Sequence, residues 1–478
     1  YEGDYNIAIG SEAATQMTDQ TANVAIGHQA LSGSNSGESY NVAIGHNAMK
    51  TLDGSGHDNN IAIGAYAMDD TGTTGGTENI FIGKTAGGGT WATAASSYNV
   101  AIGNHAMNAA MNGALRNTAV GYDTLGVLTT GDDNVAVGNA SLSALTTGTY
   151  NTAVGTYALQ VNTANSNTAL GYAAGTKMTT GTQNVFIGDK AAQNALTTTY
   201  SVFIGYSAGQ NQKLASNGNV HIGWTAGQYA SGSDNTFIGK QAGQGGITSA
   251  PFSTGTNNTV VGREAFKSFT TATGNTIVGD AAGDAMTTAD NSVIMGYAAG
   301  SAITTGGNNV IIGKSAGASG TTGITTSVII GYEAGEVAGT TTNSVAVGGG
   351  ALARMSGSHN VAVGDNALFG AIHGGDRNTA VGYYALRVSG GVVNQENVAV
   401  GWQAGDAVTT GGNNVLIGAS AGGAVTTGNS LVMLGHGADP SGNTTSGEIV
   451  LGYNATGIGG NYAVIGSGDI TRVYMSSD

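Results

Sequence analysis

Eight histidines, 29 carboxylates and no cysteine set the chemistry open to this 478-residue chain. Without cysteine there is no thiolate nucleophile, no thiolate metal site and no disulfide framework. His28 and His46 each directly follow the glycine of a recurring phrase. If consecutive phrases stack as paired strands, the two rings lie about 5 Å apart. Two imidazoles at that distance could share a metal ion, but exposed rungs on a repetitive surface are the preferred reading. Asp69-Asp70 and Asp132-Asp133 fall in predicted loops, where carboxylates and carbonyls can hold Ca2+. The calcium-binding nonapeptide signature is missing, so solvated loops are favoured and no cofactor is expected. Gly87-Gly88-Gly89 lacks the Lys-Ser/Thr ending of a phosphate loop. No nucleophile elbow or zinc spacing occurs, and no carboxylate pair stands out for glycoside cleavage. No catalytic or metal-binding residue is assigned, and the chain is read as a non-enzyme.

One set of side chains suits binding better than catalysis. Tyr122, Tyr172, Tyr206, Trp224, Tyr297, Tyr332, Tyr383, Trp402 and Tyr453 all occupy the position just after that glycine, with Lys84, Lys240, Arg263 and Lys314 among them. Stacked repeats would align them in a column. Such a column can stack on sugar rings or dock a partner surface, or it can simply pack between chains. It is the candidate surface-binding site.

The elements that would position this column are set by the repeat. A polar residue, usually Asn, is followed by Val or Thr, a small or apolar residue, Ile or Val, and Gly. The phrase stands as Asn6-Ile7-Ala8-Ile9-Gly10, Asn23-Val24-Ala25-Ile26-Gly27, Asn184-Val185-Phe186-Ile187-Gly188 and Asn309-Val310-Ile311-Ile312-Gly313. Its glycine occurs 27 times between Gly10 and Gly466, with a mean spacing of 17.5 residues. The β-branched, alternating phrase predicts a short strand. Val24 and Ile26 then face one way, and Asn23, Ala25 and Gly27 the other. Glycine at the end fits a sharp corner. A second phrase, two variable residues followed by Ala and then Leu, Met or Gly, predicts a second short strand; Gln29-Ala30-Leu31 is an example. Thr/Gly/Asn stretches such as Thr129-Thr130-Gly131 predict turns. No apolar period of 3.6 argues for helix.

One unit of this length cannot form a core, but a stack can, with each strand parallel to its equivalents above and below. Aligned Asn side chains then make a hydrogen-bonded ladder. The coil looks thin, so its Ala, Val and Ile faces are expected to be completed by neighbouring chains, three about one axis.

Composition narrows the class further. Glycine is 83 of 478 residues, about 17% against a usual ~7%, and only 9% of residues are charged. With 40% hydrophobic residues the chain can bury apolar surface. The net charge is −15 and the 14 Lys and Arg are scattered, which argues against nucleic acid as a partner. No apolar run nears the ~20 residues of a membrane span. The chain opens at Tyr1 without Met and reads as a processed or partial product.

The Asn-Val-Ala-Ile-Gly phrase resembles the head repeats of trimeric autotransporter adhesins, which are left-handed parallel β-rolls with three chains to a head. The fuller pattern Asn151-Thr152-Ala153-Val154-Gly155-Thr156-Tyr157-Ala158-Leu159 resembles repeats of phage tail-fibre-like proteins. The end, Ile470-Thr471-Arg472-Val473-Tyr474-Met475-Ser476-Ser477-Asp478, is similar to the stretch before a self-cleaving intramolecular chaperone in phage fibres and tailspikes. These resemblances imply an intertwined homotrimer on a cell or virion surface. A rival remains open. Ile26-Gly27-His28-Gln29-Ala30-Leu31 also fits the hexapeptide pattern of single-chain left-handed β-helices.

The resulting expectation is an all-β parallel β-roll or β-solenoid of about 27 coils over residues 1–466, with a fibre tail at 467–478. It would serve as a structural and adhesive fibre segment, extracellular or on a virion. Its partners would be itself, as a homotrimer or longer filament, and a cell-surface glycan or protein receptor; neither nucleic acid nor membrane insertion is expected. The alternatives are a polysaccharide-cleaving tailspike, which needs two close carboxylates, and a monomeric left-handed β-helix with a scaffold role or an ice-binding one, the latter needing regular Thr-x-Thr columns.

Overall fold

The structure, a computed structural model, describes residues 5–33, 37–52, 56–72, 75–91, 93–212, 216–246, 253–318, 323–336, 342–354, 356–370, 375–387 and 395–468. The insertion holding Pro251 and the C-terminal segment Ile470–Asp478 lie outside these residues. The chain forms two compact units, Tyr1–Asn235 and Thr236–Asp478. Each is a parallel β-solenoid.

Among the described residues the first unit has thirteen strands made by the phrase, from Ile7–Ile9 to Val220–Ile222, and the second has fourteen, from Thr236–Ile238 to Ala463–Ile465. Each strand is three residues long. Neighbours pair in parallel and residue for residue: Val24 opposite Val42, Ala25 opposite Ala43, Ile26 opposite Ile44. The second unit repeats this, with Val310 opposite Val328 and Ile312 opposite Ile330. Val24 N donates to Asn41 O at 2.8 Å, and Gly45 N donates to Ile26 O at 2.8 Å. A smaller parallel pair joins Thr51–Leu52 to Asp70–Gly72. No helix occurs among the described residues.

The glycine corner is dictated by space as well as by backbone angle. From Gly10 to Gly452 these glycines hold φ between +126° and +147°, outside the range of an L side chain. A Cβ at Gly171 would stand 2.5 Å from the carbonyl oxygen of Gly188 in the next coil. The corners therefore sit directly over one another, and only glycine allows that approach.

The asparagine ladder forms as the repeat predicts. Asn23 Oδ1 accepts the Asn41 N–H at 2.8 Å, and Asn41 Oδ1 accepts the Asn60 N–H at 2.9 Å. The amide nitrogens cap the turns, Asn60 Nδ2 donating to Gly76 O at 2.7 Å. These side chains are fully buried, and each answers backbone groups that would otherwise be unsatisfied inside the coil. Serine substitutes at some rungs, with Ser201 Oγ accepting Asn219 N–H at 3.2 Å. In the second unit Asn414 Oδ1 accepts Leu431 N–H, and the next equivalent position holds buried Glu448. Its carboxylate accepts the N–H groups of Ser441 and Gly459 instead.

Two expectations need correction. The Ala-Leu phrase is a turn, not a second strand. Gln29 and Leu31 hold φ of +54° and +51°, and the turn stacks on its neighbour through Leu31 N–H to Ala48 O at 3.0 Å. The core also closes within one chain. Ala25, Ala30 and Leu31 are at most 1% exposed, so no neighbouring chain is needed to cover the Ala face. Val24 and Ile26 point outward and are half-buried.

In many coils core volume is balanced by reciprocal size, although Ala169 with Gly175 and Ala399 with Gly405 are small in both layers. Where the strand centre is Ala25, Ala43 or Ala136, the turn six residues on supplies Leu31, Met49 or Leu142. Where the centre is Phe81, Phe203, Ile294 or Ile329, that turn position is Gly87, Gly209, Gly300 or Gly335. A Cβ at Gly209 would lie 2.7 Å from the Phe203 ring. Large and small thus alternate between the two layers, as dense packing requires.

His221 occupies one of these strand centres, stacked on Phe203 with centroids 4.8 Å apart. Complete burial pushes its imidazole down to about 3 from an ordinary 6.5. The unfolded chain takes up this proton near pH 6.5, the folded chain only near 3. Stability from this site is therefore full above pH 6.5 and falls as the pH drops toward 3. His221→Phe keeps the stack and removes the proton site. Denaturant titrations at pH 7 and pH 4 should show the wild type losing on the order of 3 kcal/mol more than the variant. Equal losses would refute this assignment.

Candidate surface-binding columns

The strand's outward side chains, the corner and the turn together present three parallel tracks in each unit. The first is the strand face itself. Its two columns are half-buried at most rungs, as at Val185 with Ile187 and Val310 with Ile312, and exposed at others such as Leu170 and Leu434. No position of either column carries a charge in any of the 27 copies.

The second track follows the glycine. The stacked corners bring the predicted residues to the surface in register. In the first unit Tyr122, Tyr172, Tyr206 and Trp224 are 44–55% exposed. In the second, Tyr297, Tyr332, Tyr383, Trp402 and Tyr453 are 39–66% exposed. Of these nine only Tyr206 and Trp224 face each other as described neighbours, with centroids 6.5 Å apart and planes within 15°. Several of the others meet different rungs. His105 packs edge-on to Tyr122 at 5.6 Å, Tyr157 to Tyr172 at 6.2 Å, and His436 stacks on Tyr453 at 5.2 Å. Lys190 lies 5.8 Å from the Tyr206 ring and Lys314 lies 5.6 Å from the Tyr332 ring, within cation–π range. Tyr383 packs against its chain neighbour Tyr384 at 3.9 Å, and a hydrogen bond between the two phenols raises its pKa above the ordinary value. Tyr332 is raised by a hydrogen bond with Glu333.

The cations of this track are used along it. Arg263 hydrogen-bonds Asp280 of the next coil, which holds the guanidinium above its usual pKa, and also pairs with Glu264 at 2.9 Å. Lys84 is engaged here through its backbone N–H rather than its ammonium; the N–H donates to Asn104 Oδ1 at 2.9 Å. His28 and His46 stack with centroids 5.1 Å apart and planes within 10°, the spacing read from the repeat. His46 next meets Tyr66 at 5.1 Å. Among the described residues no group of three or more His, Asp or Glu could hold a metal ion.

The acidic pairs serve the backbone and the surface. Asp132 Oδ1 accepts Leu115 N–H at 2.8 Å, while Asp133 meets Arg116 at 2.6 Å, which holds its carboxyl below the usual range. Asp70 accepts the Thr90 hydroxyl at 2.8 Å, and burial pushes the Asp69 carboxyl up. The Thr-Thr turns are likewise engaged: Thr129 Oγ1 donates to Thr146 O at 3.0 Å and Thr270 Oγ1 to Thr287 O at 2.9 Å.

A third track was not seen in the sequence. It is the residue before the ladder asparagine, on the opposite flank of the strand face, and it carries Tyr5, Tyr40, Tyr98, Tyr150 and Tyr200 in the first unit. Aligning the repeats on Asn instead of Gly would have revealed it.

No protein-family model matches the chain, and the search of curated proteins returned no match.

Proposed function

We propose that the chain is a structural and adhesive fibre segment, extracellular or on a virion surface, working as a homotrimer in which the strand faces turn toward one another. The observation that carries this reading is the uncharged outer face. In a chain of net charge −15, both outward columns stay free of charge at every rung. At ~4.8 Å per rung and two side chains wide, each unit offers a strip on the order of 600 Å2. That is the upper end of what a monomer usually leaves bare, and it approaches the ~800 Å2 that each partner contributes to a standard interface. A second copy has the same pitch, so its side chains interdigitate rung by rung, as matched sheets do. The aromatic tracks flank the strip and remain available for attachment to a surface.

One observation favours a second reading. The Ala and Leu core is complete in a single chain, which suits a free-standing solenoid acting as a scaffold.

Charge on the strip separates the two. Ile187→Lys, Ile204→Lys, Ile312→Lys and Ile330→Lys together put like charges on half-buried outward positions, two in each unit. The trimer reading expects the variant to keep its β circular dichroism and sediment at one third of the wild-type mass. Identical masses would reject it.

A further inference from the structure

The tyrosines of the third track follow a rule of their own. Tyr40, Tyr98, Tyr150 and Tyr200 precede the ladder residues Asn41, Asn99, Asn151 and Ser201, and each is three coils from the next. The two rungs between them hold Asn59 and Glu78, then Arg116 and Asp133, then Ser166 and Gln183. At ~4.8 Å per coil the aromatic interval is about 14 Å. Tyr5 lies two coils before Tyr40, beyond the regular part.

These positions disfavour a bulky residue. The four tyrosines hold φ of +57° to +63°, a left-handed backbone that suits Gly and Asn. The equivalent rung after Tyr200 is Gly218, and the second unit places Asn257, Asn291, Asn308 and Asn343 there, with no Tyr, Trp or Phe at any rung and one imidazole, His359. The tyrosines also contribute nothing to the core. They are 52–65% exposed, and none of their rings stacks on another or on a cation among the described residues. Their backbones are fixed: Tyr98 N–H donates to Thr77 O at 3.0 Å and Tyr150 N–H to Asp132 O at 3.1 Å. The rings are thus held at regular intervals, against local backbone preference, and left bare. The polar rungs between them hold the same left-handed φ, from +56° to +60°, so the backbone belongs to the fold, and what sets the tyrosines apart is their regular interval and their exposure.

We propose that this ladder is a binding track for an extended neutral polysaccharide lying along the coil axis of the first unit, a proposal that rests on the adhesive reading and names its ligand. A pyranose ring offers an apolar C–H face to an aromatic ring and hydroxyls to planar polar groups. The order aromatic, polar, polar provides both in turn. A protein partner would call for a continuous apolar strip, which these polar rungs interrupt. An acidic glycan is disfavoured by Glu78, by Asp133 and by the pairing of Arg116 with Asp133 at 2.6 Å.

The test is affinity electrophoresis of the full chain through gels containing hydroxyethyl cellulose, α-mannan or dextran. The comparison is with a variant carrying Tyr40→Asn, Tyr98→Asn, Tyr150→Asn and Tyr200→Asn. Asn suits the left-handed backbone, so the variant should fold at least as well, which its thermal melt checks. The wild type should be retarded in at least one gel. The variant should bind that polymer about tenfold or more weakly, because four linked sites act together. No retardation in any gel, or equal retardation of both proteins, overturns the proposal. A Tyr297→Asn/Trp402→Asn variant separates it from the broader reading. If that variant loses retardation while the four-tyrosine variant keeps it, adhesion stands and the tyrosine track falls.

Discussion

Gly171→Ala should open the coil stack at that rung and cost more than about 4 kcal/mol, beyond the range of most single substitutions. Two effects add. The native φ of +138° is closed to alanine, and its Cβ would stand 2.5 Å from the Gly188 carbonyl oxygen. That carbonyl cannot retreat cheaply, because the strands on either side, Thr168–Leu170 and Val185–Ile187, are hydrogen bonded in register. In a stack of nearest-neighbour units the damage is local at first. Limited proteolysis should therefore gain a cut near this coil before the rest unfolds, and denaturant titration should give the loss in stability. Lys177→Ala, an exposed change in the same coil, should stay within about 0.5 kcal/mol. If Gly171→Ala behaves like Lys177→Ala, the corner stacking described above is wrong.

The second large effect concerns the reciprocal core. Ala362 and Leu368 are fully buried, as are their counterparts in the neighbouring coils, Ala346 with Leu352 and Ala380 with Leu386. Ala362→Ile alone overfills the layer, at about 1–3 kcal/mol. Leu368→Gly alone leaves a cavity, at about 2–5 kcal/mol. Together they recreate the arrangement at Ile329 and Gly335, where a Cβ on the glycine would come within 3.0 Å of the isoleucine. The double variant should recover at least about 2 kcal/mol relative to the summed single losses. Simple additivity would mean that the two positions do not share one space.

Most of the scaffold was legible before any coordinates. The Asn-Val-Ala-Ile-Gly phrase fixed strand, register and parallel pairing because every copy must place the same residue over the same residue. His28 over His46 is the plainest instance. The Ala30-Leu31 phrase was misleading, since its apolar pair looks like strand while Leu31 adopts φ of +51°. A bulky residue there contradicts local preference, and only the stacked turn explains it. Inside and outside were harder still. Val24 and Ile26 are more apolar than Ala25, yet Ala25 lies inside, where the turn layer leaves little room and Asn23 can satisfy the backbone. The predicted aromatic column is where its spacing placed it, but its members mostly meet other rungs rather than each other. The second tyrosine track escaped notice because the phrase was aligned on its glycine.

The outward uncharged strip is the centre of the functional account, and the mass of the intact chain in solution tests it most directly. Sedimentation equilibrium over a wide concentration range should return about 141 kDa, three times the 47.0 kDa chain. A constant 47.0 kDa would contradict it and leave a solitary solenoid whose outer face meets only water.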